Sequence, residues 1–341
     1  MITTHILDAS TASLVPDFIY KLFGYTFPHP SFYDEEELLA SHAAGGYYSV
    51  LGLGEDFKVI SIMVMVLGFP SPSLGFMDLI ATDSQAAPLD RACAISKSMA
   101  VMISAVQRLS KEHGLKALVS TETTIHMKSQ RMMDRSSFFK PSGLFLGWMP
   151  GWSELSKLSS SDAIDVRPRR NSTVSVFQLK TRSPNAALHY FPSRFAHLLR
   201  LIYSSLDRQV QERHLKAEMG ASPTEAHCSL DHLRSYAIIN VPKLGPDCCD
   251  VVGAFLERFC SGFVQLIHIA ISLTEPRNEL LTEFLISRGC RYGALLPQYF
   301  PQSDALILQR INYPIALLKR EDLCSSLTQQ VFDTFSDLAR V

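Results

Sequence analysis

The sequence predicts a mixed α/β protein built from two similar halves. Two observations carry this. Short apolar runs of strand length alternate with segments whose apolar residues recur at a helical period. The order strand, polar turn, helix, strand also occurs twice. LKALVST, a polar turn, SQRMMDRSS and SGLFLG are matched later by LIHIAISL, a polar turn, NELLTEFLI and YGALLP. Gly143 and Gly293 fall at equivalent points of the two copies, and a long helical segment precedes each. The simplest reading is a pseudo-twofold pair of α/β domains, each with a mixed sheet.

The elements follow in order. VPDFIYKLFG (15–24) reads as a short helix with Asp17 as its cap. Pro28 and Pro30 exclude helix from the aromatic stretch YTFPHPSFYDEEEL, which ends in a helix start. YYSVLGLGEDFKVISIMVMVLGF reads as a hairpin turning at Gly54-Glu55-Asp56, and LGFMDLIAT as the next strand. Ala92, Ile95, Met99, Met102, Val106 and Leu109 then mark a long helix that Gly114 ends. GWSELSKLSSSDAIDVRPRRNST is serine-rich and without apolar period, so it reads as a linker, with Arg167, Arg169 and Arg170 solvated. The division is therefore 1–152, a linker 153–172, a second domain 173–318, and a C-terminal helix in 319–341.

In the second half, VSVFQLK is a strand. SRFAHLLRLIYSSLDRQVQERHL is an amphipathic helix with Phe195, Leu198, Leu199, Ile202 and Leu206 on one side. KAEMGASPTEAHCSL reads as a loop and SYAIINV as a strand. CDVVGAFLERFC is a helix, FVQLIHIAISL a strand and NELLTEFLISRG a helix, before the closing strands CRYGALLP and DALILQRI.

Composition narrows the function classes. The 341 residues are 47% hydrophobic and 19% charged, with a formal net charge of −1. No basic field draws nucleic acid, and no nucleic-acid partner is expected. The seven cysteines are odd in number and form no C-x-x-C. That pattern, with no basic and apolar leader in MITTHILDAS, reads as a reduced, cytoplasmic protein. The longest apolar run, VISIMVMVLGF, is far short of the roughly 20 residues that span a bilayer, so no membrane is expected. His227-Cys228 with His232 fits no zinc spacing, and no metal site is expected.

Three motifs in order resemble the GCN5-related N-acetyltransferase (GNAT) superfamily, in its tandem two-domain bacterial form. They are Gly24-Tyr25-Thr26-Phe27 with Phe32-Tyr33, then Thr124-Ile125-His126 with Ser129-Gln130, then Gly143-Leu144-Phe145-Leu146-Gly147-Trp148-Met149-Pro150. Gly293-Ala294-Leu295-Leu296-Pro297 and Asp304-Ala305-Leu306-Ile307-Leu308-Gln309 resemble the degenerate partner domain. The resemblance covers roughly Val15 to Pro314.

It implies two tandem GNAT-like domains, with acetyl-CoA or another acyl-CoA as co-substrate. Leu79, Ile80, Ala81 and Thr82 would lie along the pantetheine arm as an exposed strand edge. The loop that opens the long helix would meet the pyrophosphate with backbone N–H groups at a helix N-terminus. Here that segment is Asp90 followed by Arg91, Ala92, Cys93, Ala94 and Ile95. Arg91 is in place, but alanines stand where the family has glycines, and Asp90 opposes a diphosphate. In the second half the corresponding turn is KLGPDCCD, with a single glycine.

Acyl transfer to an amine needs a proton acceptor and donors for the developing oxyanion. Glu122, His126 and Ser129 are the catalytic candidates. Against these stand a solvated strand-end carboxylate, a locally bonded helix-start histidine and a helix cap at Thr124 or Ser129. No tyrosine lies between Tyr48 and Tyr190 to serve as the family's leaving-group acid, and Asp134 falls near its place. Tyr25, His29 and Tyr33 would wall the acceptor pocket, or pin the N-terminal loop by ring packing. Asn278 matches a family asparagine or caps a helix. Cys248-Cys249, between Asp247 and Asp250, lacks the positive surroundings of a reactive pair. The methionines of VISIMVMV and SMAVMI line a long acyl pocket or pack in the core.

The expected function is transfer of an acyl group, most simply acetyl, from CoA to a small-molecule or peptide amine. The assembly would be a monomer acting as a pseudo-dimer, or a homodimer. The rival expectation is a non-catalytic module that senses acyl-CoA or binds a protein.

Overall fold

The computed structural model describes residues 3–25, 27, 29–54, 56–68, 71–83, 91–124, 129–131, 134, 139–149, 170–179, 187–213 and 222–335. For 91–99, 101, 179 and 187 it describes the backbone alone. The chain forms two compact units, and the division falls between Ser120 and Thr121. Of the expected linker, 153–172, only Arg170, Asn171 and Ser172 are among the described residues.

The first unit opens with β1 (Thr3–Ile6), α1 (Val15–Phe23) and α2 (Glu35–Ala43). Asp17 is not the cap of α1. Leu14 holds that position, and Asp17 lies in the first turn, where a carboxylate favours the positive helix end. Asp34 caps α2 by accepting Glu37 N–H at 2.9 Å. Then come β2 (Tyr47–Leu53), β3 (Val59–Leu67), β4 (Leu74–Thr82), α3 (Arg91–Glu112) and β5 (Ala117–Thr123). The strand order is β1-β2-β3-β4-β5. All neighbours are antiparallel except β4 and β5, which run parallel because α3 crosses between them. Phe18, Ile19, Phe32 and Leu38 bury their side chains against Leu51, Ile62, Val64 and Leu79 of the sheet. Met63, Met65 and Met102 are buried, so those methionines pack in the core.

The second unit takes the end of β5, then β6 (Lys140–Met149) and β7 (Asn171–Leu179). β8 (Ala187–His189), α4 (Ala196–Ser205), β9 (Val210–Glu212), β10 (Glu225–Asp231) and β11 (Tyr236–Lys243) follow. The expected helix through Leu215 stops at Ser205, because the chain turns at Asp207 with φ of 51°. The expected loop around His227 is strand β10, whose exposed, polar residues hid its pairing with β11. α5 (Cys248–Cys260) then crosses to β12 (Leu266–Ser272), parallel to β11. α6 (Asn278–Ser287), β13 (Arg291–Phe300), β14 (Ser303–Ile311) and α7 (Ser326–Asp333) complete the unit. Its strand order is β7-β6-β13-β14-β12-β11-β10.

Gly143 and Gly293 meet in this unit. Gly143 of β6 pairs with Ala294 of β13, and a Cβ at Gly143 would strike the carbonyl oxygen of Gly293. Beside them the buried Gln309 side chain donates to Leu144 O at 2.8 Å and Tyr292 O at 2.6 Å. It also accepts Leu146 N–H at 2.8 Å. The amide thus replaces ladder bonds that β6 and β13 do not make with each other there.

Two buried charges are satisfied inside the second unit. Arg170, expected to be solvated, is 1% exposed. Its guanidinium donates to Gly147 O at 2.5 Å, Trp148 O at 3.1 Å, Arg234 O at 2.9 Å and Gln265 Oε1 at 2.9 Å. Burial and the nearby charge of Arg234 lower its pKa to about 10, so it stays charged at neutral pH. Asp304 accepts from Tyr203 Oη at 2.6 Å and Gln298 N–H at 2.8 Å, and faces His189 Nε2 at 3.0 Å and Arg208 at 2.9 Å. Burial raises the Asp304 carboxyl, but His189, Arg208 and Tyr203 outweigh it and hold it below its ordinary value.

Gly143→Ala is expected to destabilise by about 1–3 kcal/mol through overpacking, read by chemical denaturation. Asp304→Asn is expected to cost about 3–5 kcal/mol, because Arg208 loses its buried partner. The wild-type contribution is fully present above the unfolded carboxyl pKa near 3.9. It is lost as pH falls through the lower folded value, so the wild-type–variant gap in an acid titration should shrink only below about pH 4.

Candidate functional site

In the first unit the strand geometry singles out the end of β4. Its parallel ladder with β5 runs from Leu74↔Ala117 to Met77↔Ser120. Its antiparallel ladder with β3 continues to Ser61↔Thr82. β4 therefore goes on for Leu79, Ile80 and Ala81 past the last described pair with β5, and Ile80 and Ala81 are half-buried. Between the two stretches the β3 register shifts, and Asp78 is the extra residue of this bulge. The crossover helix α3 begins at Arg91, among the residues expected to meet a pyrophosphate. Asp90 lies outside the described residues, as do the side chains of Arg91, Ala92, Cys93, Ala94 and Ile95.

The aromatic stretch after α1 packs beside this strand. Tyr25 is exposed and its ring contacts Tyr20 and Tyr33, at centroid distances of 4.8 and 5.7 Å. Tyr33 Oη accepts Phe27 N–H at 2.8 Å, and burial raises its pKa. His29 packs against Phe27 at 5.4 Å, Phe32 at 6.2 Å and Tyr47 at 5.6 Å. Its Nε2 bonds the Asp78 carboxylate, and its Nδ1 lies 3.3 Å from Tyr47 Oη. The structure thus brings together Tyr25, Tyr33 and His29, and adds Asp78 and Tyr47, which the sequence reading missed. One signal for Asp78 was legible: it is the single charge in the apolar strand LGFMDLIAT. Tyr47 carried none.

Glu122 belongs to the second unit. It is 3% exposed, not a solvated strand end, and lines a small pocket with Gln130, Asp134, Val176, Cys324 and Thr328. Gln130 Nε2 donates to Thr123 O at 3.1 Å and to Asp322 O at 3.0 Å, while its Oε1 accepts Cys324 N–H at 3.1 Å. One buried amide therefore ties the segment before α7 to the end of β5. Thr124 N–H and hydroxyl both donate to Ser172 O, and residues 125–128, whose N–H groups it would cap, lie outside the described residues. Ser129 Oγ has no hydrogen-bond partner among the described residues, and His126 lies outside them.

The second half offers a contrast at the matching place. β11 and β12 stay paired from Tyr236↔Leu266 to Val241↔Ile271. Its turn is occupied by its own chain. Thr224 donates twice to Asp247 Oδ1 and accepts Gly245 N–H at 2.9 Å. A Cβ at Gly245 would strike the Ser222–Thr224 backbone. Burial pushes the Cys248 thiol up to about 11, which leaves it unreactive at neutral pH. Asn278 does not cap α6, whose cap position is Arg277; its amide donates to Tyr190 O. No group of three His, Cys, Asp or Glu able to hold a metal occurs among the described residues, and no described helix is long and apolar enough to cross a membrane.

Gln130→Ala removes three hydrogen bonds of a buried amide and should cost about 1–3 kcal/mol. It should also make 319–335 cleave faster in limited proteolysis than the rest of the chain, with the cut sites read by mass spectrometry.

No protein-family model and no curated protein matches the chain. The solved structures to which it is similar are acetyltransferases of the GNAT family. One is a phosphinothricin acetyltransferase from Sinorhizobium meliloti in complex with AcCoA, at 17% identity, covering 52% of this chain and 88% of that one, with a TM-score of 0.37. Another is the spermidine/spermine N-acetyltransferase SpeG from Vibrio cholerae, at 10% identity, covering 52% and 95%, with a TM-score of 0.37. A third is a GNAT-family acetyltransferase from Streptococcus pneumoniae, at 10% identity, covering 52% and 99%, with a TM-score of 0.37. Likeness of this degree carries no conclusion about the reaction.

Proposed function

We propose that the first half binds acyl-CoA beside β4 and that the protein transfers the acyl group to an amine. The observation that carries this reading is the parallel ladder that ends at Met77↔Ser120 while β4 continues. An extended acyl-pantetheine arm has amide groups that can pair with a strand edge at Leu79, Ile80 and Ala81, as an added strand would. The crossover helix that follows presents its N-terminus, where backbone N–H groups and the helix dipole suit a pyrophosphate. The acyl-CoA would supply the activated thioester. The chain's own part is to orient it, exclude water and take the proton of the attacking amine.

The second half reads as a degenerate copy of the same unit. The β11–α5–β12 crossover, followed by α6, β13 and β14, repeats the order of β4–α3–β5 and the strands after it. Among the described residues its ladder stays paired through Val241↔Ile271 and its turn is filled by the Ser222–Thr224 backbone. The acceptor is a small-molecule or peptide amine; phosphinothricin and spermidine, named for two of the similar structures, are the first to try.

Calorimetric titration with acetyl-CoA tests this reading. Saturable binding is expected, weakened about tenfold or more by Arg91→Glu, which places a negative charge at the start of α3. No binding of acetyl-CoA or longer acyl-CoAs would overturn it and favour a protein-binding module.

A further inference from the structure

We propose that Tyr47, His29 and Asp78 form the proton relay that deprotonates the acceptor amine. This rests on the acyl-CoA reading above and names residues for its chemistry. Three observations point to the relay. First, Asp78 is the bulge residue of β4, immediately before Leu79. A bulge re-aims one side chain, and here it turns a carboxylate toward the aromatic wall instead of continuing the alternation of the strand. Second, that carboxylate is only 8% exposed and His29 only 17%, so the pair is held out of bulk water. Third, the pair continues to a hydroxyl: Tyr47 Oη lies 3.3 Å from His29 Nδ1.

The hydrogen bonds assign the roles. A carboxylate at Nε2 holds the proton of neutral imidazole there, which leaves Nδ1 as the acceptor of Tyr47 O–H. This is the logic of a base oriented by a carboxylate, with a tyrosine hydroxyl as the outer member. As the amine nitrogen bonds to the acyl carbon and the carbon–sulfur bond breaks, Tyr47 Oη takes the amine proton and passes its own to His29 Nδ1. The imidazolium then faces Asp78. The proton afterwards passes to the departing thiolate, so one amine and one acyl-CoA give one amide and one free thiol.

The other polar groups of this wall are engaged within the fold. His42 bonds Leu38 O at 2.8 Å and Ser49 Oγ at 2.9 Å, and burial lowers its pKa. Tyr33 Oη takes Phe27 N–H. Lys21 Nζ pairs with Asp83 at 2.5 Å. Among the described residues, Asp78 and Tyr47 face His29, and the ring of His42 lies 6.2 Å from that of Tyr47.

The test measures thiol release from acetyl-CoA, in water alone and with a mixture of primary amines that includes spermidine. It compares wild type with His29→Gln, Asp78→Asn and Tyr47→Phe, each checked for folding by its melting temperature. Acetyl-CoA affinity should stay within about threefold of wild type, while thiol release falls about a hundredfold in His29→Gln, the size of a lost general base. Asp78→Asn removes the carboxylate that orients the imidazole, so it should lower kcat for thiol release without raising KM for acetyl-CoA. Tyr47→Phe removes only a hydroxyl, so it keeps the test decisive if another variant fails to fold. Release at the wild-type rate in the folded variants overturns the relay, as does a wild type that binds acetyl-CoA but frees no thiol from it. A wild type that binds neither acetyl-CoA nor a longer acyl-CoA overturns the acyl-CoA reading itself, and the relay with it.

Discussion

Backbone N–H and C=O groups must find partners wherever one strand leaves its neighbour, and this constraint shapes the protein more than any single contact. The clearest case is β6 against β13. Gly143 and Gly293 bring the two backbones together without Cβ atoms, and where the ladder opens, the Gln309 amide bonds Leu144, Leu146 and Tyr292 instead. The same need recurs at Gly147, which has φ of 66° and whose carbonyl takes the Nε–H of buried Arg170. It recurs at Gln298, which has φ of 61° and gives its N–H to Asp304. In each of these three places a polar side chain from elsewhere satisfies the irregular backbone.

That constraint is met differently in the two halves. In the second half β11 and β12 pair through Val241↔Ile271, and the turn before α5 is bonded to Thr224. In the first half the β4–β5 ladder ends while β4 continues, and the bulge at its end directs Asp78 to His29. An extended ligand able to pair with a strand meets its complement only in the first of these arrangements.

The polar chemistry of the second unit serves its architecture. Gln130 fastens the segment before α7, and Asn278 fastens Tyr190 through its carbonyl. Asp304 gathers Tyr203, His189, Arg208 and the Gln298 N–H around one carboxylate. A buried carboxylate costs several kcal/mol unless it is paired and bonded, and here it is both. Motifs that looked chemical, such as Ser129-Gln130 and Asp304 to Gln309, thus contain at least two residues that tie strands and helices together.

The sequence by itself determined the elements whose information is local. Apolar runs of strand length marked β2, β3, β4 and β12, and helical periodicity marked α3 and α4. It also marked Gly143 and Gly293 as equivalent, and the aromatic loop holding Tyr25, His29 and Tyr33 as one cluster. What only the tertiary structure decided depends on partners distant in the chain. Strand β10 is polar and exposed, and only pairing with β11 makes it a strand. Arg170 sits in a charged, serine-rich stretch, yet four carbonyl groups from three other segments bury it. Glu122 and Asp78 are both carboxylates in apolar strands. The strand bulge that turns Asp78 toward His29, 49 positions away in sequence, is a property of register between β3 and β4. Register is set by the whole sheet, and no local window of sequence contains it.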